Sequence, residues 1–271
     1  MLNYSNGTLK FSGGLLNPIP GVGPRPSYTV TTYGEHGTVV AVPMSGQYGT
    51  TVTLSNTPDS NYQLDYYTVN GNAIVGNTFT LTGDVTVGGS FSYVDPYNPL
   101  GLPDRTMRLK FNDGVTPSIS GATLTRVSTS PNVWDMYYNS NNWNAKLEQK
   151  GVIEVLGANM STVTQFKWLF KNNNNMVRIA LFDTGSATSL NSMIFGCSSL
   201  ESIPLFPTQS CSDVDYFAGE CKSVQSGALA LYQQLSTQSV SPSHTGTFTN
   251  CGVNTVTGAA ELAQIPSGWK S

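Results

Sequence analysis

Few side chains in this sequence have the types and spacing that acid–base or nucleophilic chemistry requires. The chain has two histidines, His36 in the segment GEHG and His244 in SPSHTGT. A nucleophilic triad needs a base beside a serine or cysteine, and a further group that orients the base. Neither histidine has a G-x-S-x-G motif or a cysteine signature nearby, so we expect no catalytic residue.

Two pairs of carboxylates are the candidates for glycoside hydrolysis, which places two such groups on either side of the scissile bond. The pairs are Asp135 with Glu148 and Asp213 with Asp215. Asp213 and Asp215 would share one face of a strand, but the run Ser-Asp-x-Asp fits better as the capped start of a helix. A polysaccharide-degrading enzyme is therefore the third-ranked alternative.

The cysteines and glycines predict no metal or cofactor site. No C-x-x-C pair occurs among the four cysteines, so a zinc site is not expected, and buried unpaired thiols are favoured over disulfides. These cysteines are Cys197, Cys211, Cys221 and Cys251. The pair Gly88-Gly89 lies between strands and not before a helix, so it predicts no phosphate-binding loop.

Residues 131–149 concentrate aromatic side chains among asparagines. The candidate glycan-binding residues are Trp134, Tyr137, Tyr138 and Trp143. Aromatic faces stack on sugars, and asparagine amides can hydrogen-bond sugar hydroxyls. The alternative, which we favour, is that these rings fill the core between a hairpin and the first repeat of the second half.

Composition argues against several classes of partner. Of the 271 residues, 11% are charged and the net charge is −3, so no basic surface for nucleic acid is expected. No apolar run approaches about 18 residues, so we expect no membrane insertion. The chain begins with Met and lacks a basic start followed by an apolar stretch, so we expect no Sec export. A polar, weakly charged surface without export fits a virion protein that is made in the host cytoplasm and released by lysis.

The first part of the chain divides into an arm, a β module and a linker. Residues 1–26, rich in proline and glycine, are predicted to form an extended attachment arm or, as the alternative, a disordered tail. Residues 27–94 hold short alternating strands and an Asn70-Gly71 hairpin signal, which predict a small all-β module. Residues 95–104 are predicted to be a linker. The candidate virion-attachment residues of the arm are Leu2, Tyr4, Phe11, Leu15, Leu16 and Pro18.

The β module resembles the bacterial surface repeat of internalin B-repeat type. The run from Gly49 to Leu54 matches the family's G-T-x-V-x-L strand, and Pro58, Asp59 and Tyr62 match its P-D-x-x-Y turn. The pair Tyr66-Tyr67 stands where such repeats often have a tryptophan. The resemblance covers residues 27–94 and implies a spacer or adhesive module without chemistry.

Residues 151–224 carry an internal repeat of 24 or 25 residues. One of its columns holds Asn173, Cys197 and Cys221, which we expect to bind backbone groups inside a turn. Each repeat is predicted to contain a short strand, a turn and a short helix, such as 163–170 or 187–194. The apolar columns of the repeat are Leu156, Leu181 and Leu205, and Met176, Leu200 and Val224.

The segments that flank the repeats are predicted to cap them. Residues 105–150 are predicted to form a β-hairpin and N-terminal cap, in which a strand at 107–111 pairs with one at 122–127. Residues 225–271 are predicted to form a C-terminal helical cap. One helix should begin near Ser226, and a second should have Thr257 as its N-cap and Pro266 as its stop.

The repeats resemble the BspA-type leucine-rich repeat. The segment LNSMIFGCSSLESIPLF, residues 190–206, matches the family core M-F-x-G-C-x-x-L-x-x-I-P-L-F with Ile194 as one extra residue. The first repeat departs from this core at 172–175, and the third departs at 219–221. The resemblance implies a leucine-rich-repeat solenoid for the second half. With the predicted β module and caps, the fold class that we expect is a multidomain chain with an N-terminal small all-β module, then an α/β leucine-rich-repeat solenoid with a helical cap.

Several stretches resemble proteins of phages and prophages of gut Bacteroidota. They are residues 226–232, 247–252 and 255–266, together with LPDRTMRLKFNDGVTP, SPNVWDMYY and EVLGAN. The resemblance implies a non-enzymatic virion protein, a head fibre or a decoration or tail fibre, which attaches by its arm and displays the repeats for host-surface adhesion. The expected partners are capsid or tail proteins, further copies of the chain in a homo-oligomer, and host-surface glycans. A bacterial cell-surface adhesin, which requires an export signal, is the main alternative.

Overall fold

The protein consists of two compact units, Met1–Val94 and Asp95–Ser271, which we call unit 1 and unit 2. The structure is a computed structural model that describes residues 2–5, 8–11 and 26–271, and only the backbone in the first two ranges. Strands hold 33% of the residues and helices hold 9%, so the protein is mainly β-structure. The finer division into six segments stays a prediction.

The described part of unit 1 is built from strands alone. Its core sheets are one of five strands, in the order β5-β3-β10-β7-β8, and one of three strands, in the order β4-β6-β9. Strands β1 and β2 form a separate antiparallel pair. The strands are β1 Leu2–Ser5, β2 Thr8–Phe11, β3 Ser27–Thr32, β4 Gly37–Val42, β5 Ser45–Gln47, β6 Thr51–Pro58, β7 Tyr62–Val69, β8 Asn72–Ile74, β9 Thr78–Thr80 and β10 Val85–Tyr93.

Alternation of apolar and polar residues explains the strands of unit 1. Along β6, Val52 and Leu54 are buried while their neighbours face solvent, as expected for a strand that covers a core with one face. The predicted Asn70-Gly71 hairpin is confirmed, because β7 and β8 pair antiparallel around these two residues. Both residues have positive φ, 49° and 79°, which a type I′ turn requires.

Unit 2 begins with a sheet in the order β12-β13-β11-β14-β15. The predicted pairing of 107–111 with 122–127 is wrong, because β11 pairs with β13 and β14, and β12 pairs only with β13. Strands β12 and β13 are joined by Ser130-Pro131 alone, and this tight connection makes them neighbours. The strands are β11 Thr106–Phe111, β12 Thr123–Thr129, β13 Asn132–Tyr137, β14 Val152–Asn159 and β15 Arg178–Ile179.

The rest of unit 2 is dominated by a stack of nine-residue turn segments, which we call the turn ladder. Its five rungs within 142–251 are residues 142–150, 165–173, 189–197, 213–221 and 243–251, joined through parallel bridges between their first residues. At each junction, four amides of one rung donate to four carbonyls of the next at 2.7–3.3 Å. At the second junction the donors are Phe166, Trp168, Phe170 and Asn172, and the acceptors are Ser189, Asn191, Met193 and Phe195.

The predicted α/β leucine-rich-repeat solenoid with a helical cap is wrong. The described residues form no closed solenoid, and they include two short α-helices. The helices predicted at 163–170 and 187–194 are runs of overlapping four-residue turns. Two residues per rung have left-handed φ, such as Trp168 at 61° and Asn172 at 60°, and a right-handed helix cannot contain them. The buried residues of a rung recur at i, i+3, i+4 and i+7, for example Phe166, Leu169, Phe170 and Asn173. An amphipathic helix buries the same positions, so periodicity alone does not distinguish the two structures.

One buried column of the turn ladder binds backbone groups, as its spacing predicted. Asn173 is 2% exposed, and its amide nitrogen donates to the carbonyls of Leu147 and Phe170 at 2.7 Å while its oxygen accepts from the Val152 amide at 3.0 Å. In the next rungs the thiols of Cys197 and Cys221 donate to carbonyls at 3.3 and 3.0 Å. The column therefore satisfies carbonyls that the turns would leave buried.

The two α-helices of the described chain are α1, Ala228–Ser236, and α2, Val256–Gln264. The N-cap of α2 is Thr255, not Thr257, because the extended backbone of Thr255 lets its hydroxyl accept from the Gly258 amide at 3.0 Å. The Glu261 carboxylate of α2 accepts from two amides at the start of α1. Residues 243–251, predicted to lie in the helical cap, form the fifth rung, which the 3₁₀ turn Ser267–Trp269 covers.

We predict that Asn173→Ala lowers the free energy of unfolding by about 3 kcal/mol, since the buried Val152 amide loses its acceptor and two carbonyls lose a donor. Urea unfolding followed by circular dichroism measures the change. The matched control is Asn174→Ala, because the Asn174 side chain is exposed. Equal stability of the two variants would contradict the role given to the column.

We also predict that the protein loses stability as the pH rises above about 9. Burial raises the pKa of the Cys197 and Cys251 thiols to about 12, and the pKa of Cys221 well above its ordinary value. The unfolded chain loses these protons first, so alkali favours unfolding by about 1.4 kcal/mol per pH unit for each thiol. Urea unfolding at pH 9, 10 and 11 measures the slope. In Cys197→Ala the slope of unfolding free energy against pH should be smaller by about 1.4 kcal/mol per pH unit, the contribution of one proton. An unchanged slope would refute the raised pKa of the Cys197 thiol.

Candidate functional site

The structure separates the four aromatic residues that the sequence nominated for glycan binding. Trp143 is wholly buried, so its ring is not available to a ligand. Trp134 packs against the core and donates from its indole nitrogen to Asn132 at 2.8 Å. Tyr137 follows three residues after Trp134 in β13, so it lies on the opposite face of the sheet, and it is 40% exposed. Tyr138 packs edge-on against Trp143. These four rings form no common platform, and Trp134, Tyr138 and Trp143 lie in or against the core, in line with the alternative that the sequence favours over glycan binding.

The structure does not describe the side chains that the sequence nominated for virion attachment. Leu2, Tyr4 and Phe11 lie in β1 and β2, whose side chains are not described, and Leu15, Leu16 and Pro18 lie outside the described residues. Attachment through the arm therefore stays a prediction.

Three of the four carboxylates nominated for glycoside hydrolysis have structural partners, namely Asp135, Asp213 and Asp215. Asp135 forms a two-pronged ion pair with Arg108 at 2.7 and 2.8 Å, and this hydrogen bonding raises the pKa of Arg108. Asp213 and Asp215 accept hydrogen bonds from hydroxyls and amides of their own and adjacent rungs. They cap turns and not a helix.

The two histidines stack on aromatic rings, His36 on Tyr62 at 4.2 Å and His244 on Trp269 at 4.0 Å between ring centroids. Across the described ranges, no group of three or more His, Cys, Asp or Glu side chains is placed to hold a metal ion. Within the same ranges, no helix has the length and apolar character needed to cross a membrane.

The turn ladder instead displays a run of aromatic and basic side chains on its surface, which we call the aromatic stripe. It consists of Lys167, Trp168, Lys171, Phe195 and Tyr216. The ammonium of Lys171 lies 5.4 Å from the Trp168 ring and 5.7 Å from the Phe195 ring. The Phe195 and Tyr216 ring centroids are 6.3 Å apart, edge to face. The stripe therefore runs without a break over three rungs.

Two glycines on neighbouring rungs hold the rings of the stripe in place. A Cβ at Gly219 would lie 2.9 Å from the Phe195 ring, and one at Gly246 would lie 2.7 Å from the Tyr216 ring. Each ring thus lies against the backbone of the following rung. This packing fixes the rings before any ligand arrives, which reduces the entropy lost on binding.

A recess of about 250 Å³ opens within the stripe, lined by Lys171, Ser192, Phe195 and Tyr216. Ser192 occupies the same rung position as Trp168 and Tyr216, one repeat after the first and one before the second. Adjacent rungs stack about 4.8 Å apart, so the backbones of Trp168 and Tyr216 lie about 10 Å apart along this column, and the Lys171 side chain reaches into the space between the Trp168 and Phe195 rings. The recess itself exposes the Phe195 and Tyr216 rings, which can stack on one flat six-membered ring of a ligand.

The backbone at two of these aromatic residues is strained. Trp168 and Tyr216 have φ of 61° and 54°, in the left-handed region that bulky side chains avoid at a cost of about 1–2 kcal/mol each. The same rung position in the fifth rung is occupied by Gly246, for which this conformation carries no penalty. Both aromatic side chains are also exposed, Trp168 by 39% and Tyr216 by 44%. Fold stability does not explain large rings at these positions.

The 24-residue repeat in the sequence predicts an exposed column of the aromatic stripe as well as the buried columns. Trp168 and Tyr216 are separated by twice the 24-residue repeat, so the period places them in one column with Ser192 between them. Applying the period to polar and aromatic positions, as well as to leucine and cysteine, identifies this exposed column. What the sequence does not reveal is that Lys171 and Phe195 lie beside it.

Comparison with models of protein families, with curated proteins and with solved structures gives no match to this chain.

Proposed function

We propose that this protein is a non-enzymatic structural component of a phage particle, and that unit 2 binds glycans on the host surface through the aromatic stripe. The observation that carries the adhesive role is the pair Trp168 and Tyr216, two exposed rings in one outward column of the ladder, with a small recess between Lys171 and Tyr216. The ladder sets the left-handed backbone at this position in every rung, but it does not require a large exposed ring there, and bulky side chains at such positions point to function.

The chemistry of the stripe supports a saccharide ligand. Aromatic rings offer flat apolar faces to the C–H groups of a sugar, and the ammonium of Lys171 can donate hydrogen bonds to its hydroxyls. A shallow site of this kind binds weakly on its own. Repeated copies on one particle would raise the overall avidity by about 10²–10⁴ when several sites engage together.

The placement of the protein in a virion is supported by sequence alone. The stretches LPDRTMRLKFNDGVTP, SPNVWDMYY and EVLGAN, with the C-terminal segments 226–232 and 255–266, resemble phage and prophage proteins. The low charge of the chain suits a surface that meets a host envelope without strong nonspecific attraction. Unit 1, with its resemblance to internalin B repeats, would act as a spacer between the particle and unit 2.

The adhesive role predicts that Trp168→Gly and Tyr216→Gly each weaken attachment of the purified protein to host cells by about tenfold, because each removes a stacking surface worth up to about 1.4 kcal/mol. The free energy of unfolding should stay equal or rise, since glycine relieves the left-handed strain at both positions. Flow cytometry with labelled protein measures attachment, and urea unfolding measures stability.

The control for these variants is Tyr48→Ala, which removes an aromatic ring that is 71% exposed in unit 1 and should leave attachment unchanged. Attachment that survives both glycine variants would refute the stripe as the binding site. Loss of attachment in Tyr137→Ala alone would instead place the site on the face of β13.

The structural role predicts that the protein is found in purified phage particles. Particles induced from a host that carries the gene should contain the protein by mass spectrometry, and antibodies raised against residues 105–271 should label intact particles in electron micrographs. Absence of the protein from the particles, together with its recovery from the host cell surface, would favour the adhesin alternative.

A further inference from the structure

We infer that the aromatic stripe selects acidic saccharides, with Lys167 and Lys171 pairing with a carboxylate of the bound sugar. This inference rests on the proposed glycan-binding function and adds the chemical class of the ligand. Its basis is the arrangement of charge around Trp168.

Positive charge is concentrated at this end of the turn ladder. The chain has a net charge of −3, yet four of its eight lysines lie on the first two rungs, where Glu148 is the only carboxylate. These lysines are Lys146, Lys150, Lys167 and Lys171. A chain that uses few charges has therefore placed half of its lysines on two neighbouring rungs, one of which carries Trp168 and Lys171.

Two of these lysines are available to a ligand. The ammonium of Lys167 lies 4.8 Å from the Trp168 ring, and that of Lys171 lies 5.4 Å from the same ring. Neither takes part in an ion pair among the described residues. Lys146, in contrast, is held over the Tyr138 ring at 4.0 Å and lies 3.4 Å from the Ser120 carbonyl oxygen.

Two ammonium groups around one indole ring repel each other, although the ring attracts both. A carboxylate between them removes this repulsion and gains two charge-assisted hydrogen bonds. Because Lys171 also lines the recess, a sugar that stacks on the Tyr216 ring there would present a ring carboxylate to the same ammonium group. Uronic acids combine these two features in one residue.

A nucleic acid strand is a weaker fit to the same surface. Stable binding of a strand requires many phosphate contacts along an extended basic groove. The rungs that follow Lys171 carry Asp213, Asp215 and Glu220, so the positive charge does not continue along the ladder.

The test compares tetragalacturonic acid with its methyl ester by isothermal titration calorimetry on the full chain. At low salt the acid should bind about tenfold more tightly than the ester, and added salt should remove most of this difference because the ion pairs are exposed to solvent. Lys167→Met and Lys171→Met should each weaken binding of the acid about threefold and leave binding of the ester unchanged. Methionine keeps the apolar stem of the side chain, so packing against the rings is retained.

The matched control is Lys222→Met, which removes one lysine outside the stripe that already pairs with Glu220 at 3.0 Å and should bind the acid as the parent protein does. Equal affinity for acid and ester, or no effect of the two stripe variants, overturns the inference. Tighter binding of an oligothymidylate than of the acid also overturns it. If neither sugar binds, the inference fails, and the host-cell assay with Trp168→Gly decides separately whether the stripe is adhesive.

Discussion

The turn ladder depends on one constraint: every second amide of a rung must find its acceptor on the next rung and not within its own turn. Four amide–carbonyl hydrogen bonds per junction meet this requirement, and two left-handed residues per rung orient the amides so that they can do so. The buried polar column follows from the same geometry, because the carbonyls that face inward need donors, which Asn173, Cys197 and Cys221 supply. The exposed stripe follows from it as well, because stacking in register places every outward residue directly above its counterpart.

Sequence patterns succeed here where the hydrogen-bonding partner lies nearby in the chain. Alternating residues predict the buried face of β6 and of β11, and Asn70-Gly71 predicts its hairpin, because each depends on local backbone preferences. The 24-residue period likewise predicts which residues share a column. Patterns fail where partners are distant. Inward-facing positions in consecutive turns have the spacing of an amphipathic helix, which is why the sequence predicts helices where the structure has turns. The sheet order β12-β13-β11 depends on contacts across the whole unit.

The candidate site shows the same difference between neighbours in the chain, which the sequence predicts, and neighbours in space, which it does not. Aromatic clustering in the sequence directed attention to residues 134–143, where the rings are split between a buried core and two faces of a sheet. The rings that lie together on the surface come from three different repeats. Their association becomes visible only when the register of the rungs is known, because Phe195 reaches Lys171 and Tyr216 through the spacing between rungs and not through the chain.

The spacing between bridged residues is 24 from the third rung to the fourth but 30 from the fourth to the fifth, where helix α1 is inserted. The junction nevertheless keeps its four hydrogen bonds, with Val214, Tyr216, Ala218 and Glu220 as donors. The segments between rungs can thus change in length while the surface stays in register. Helix α1 itself belongs to the core, because its Leu231 and Leu235 side chains are buried. The exposed residues 239–241 that follow it are therefore the better position for grafting a foreign peptide, since the rungs on either side would keep their register.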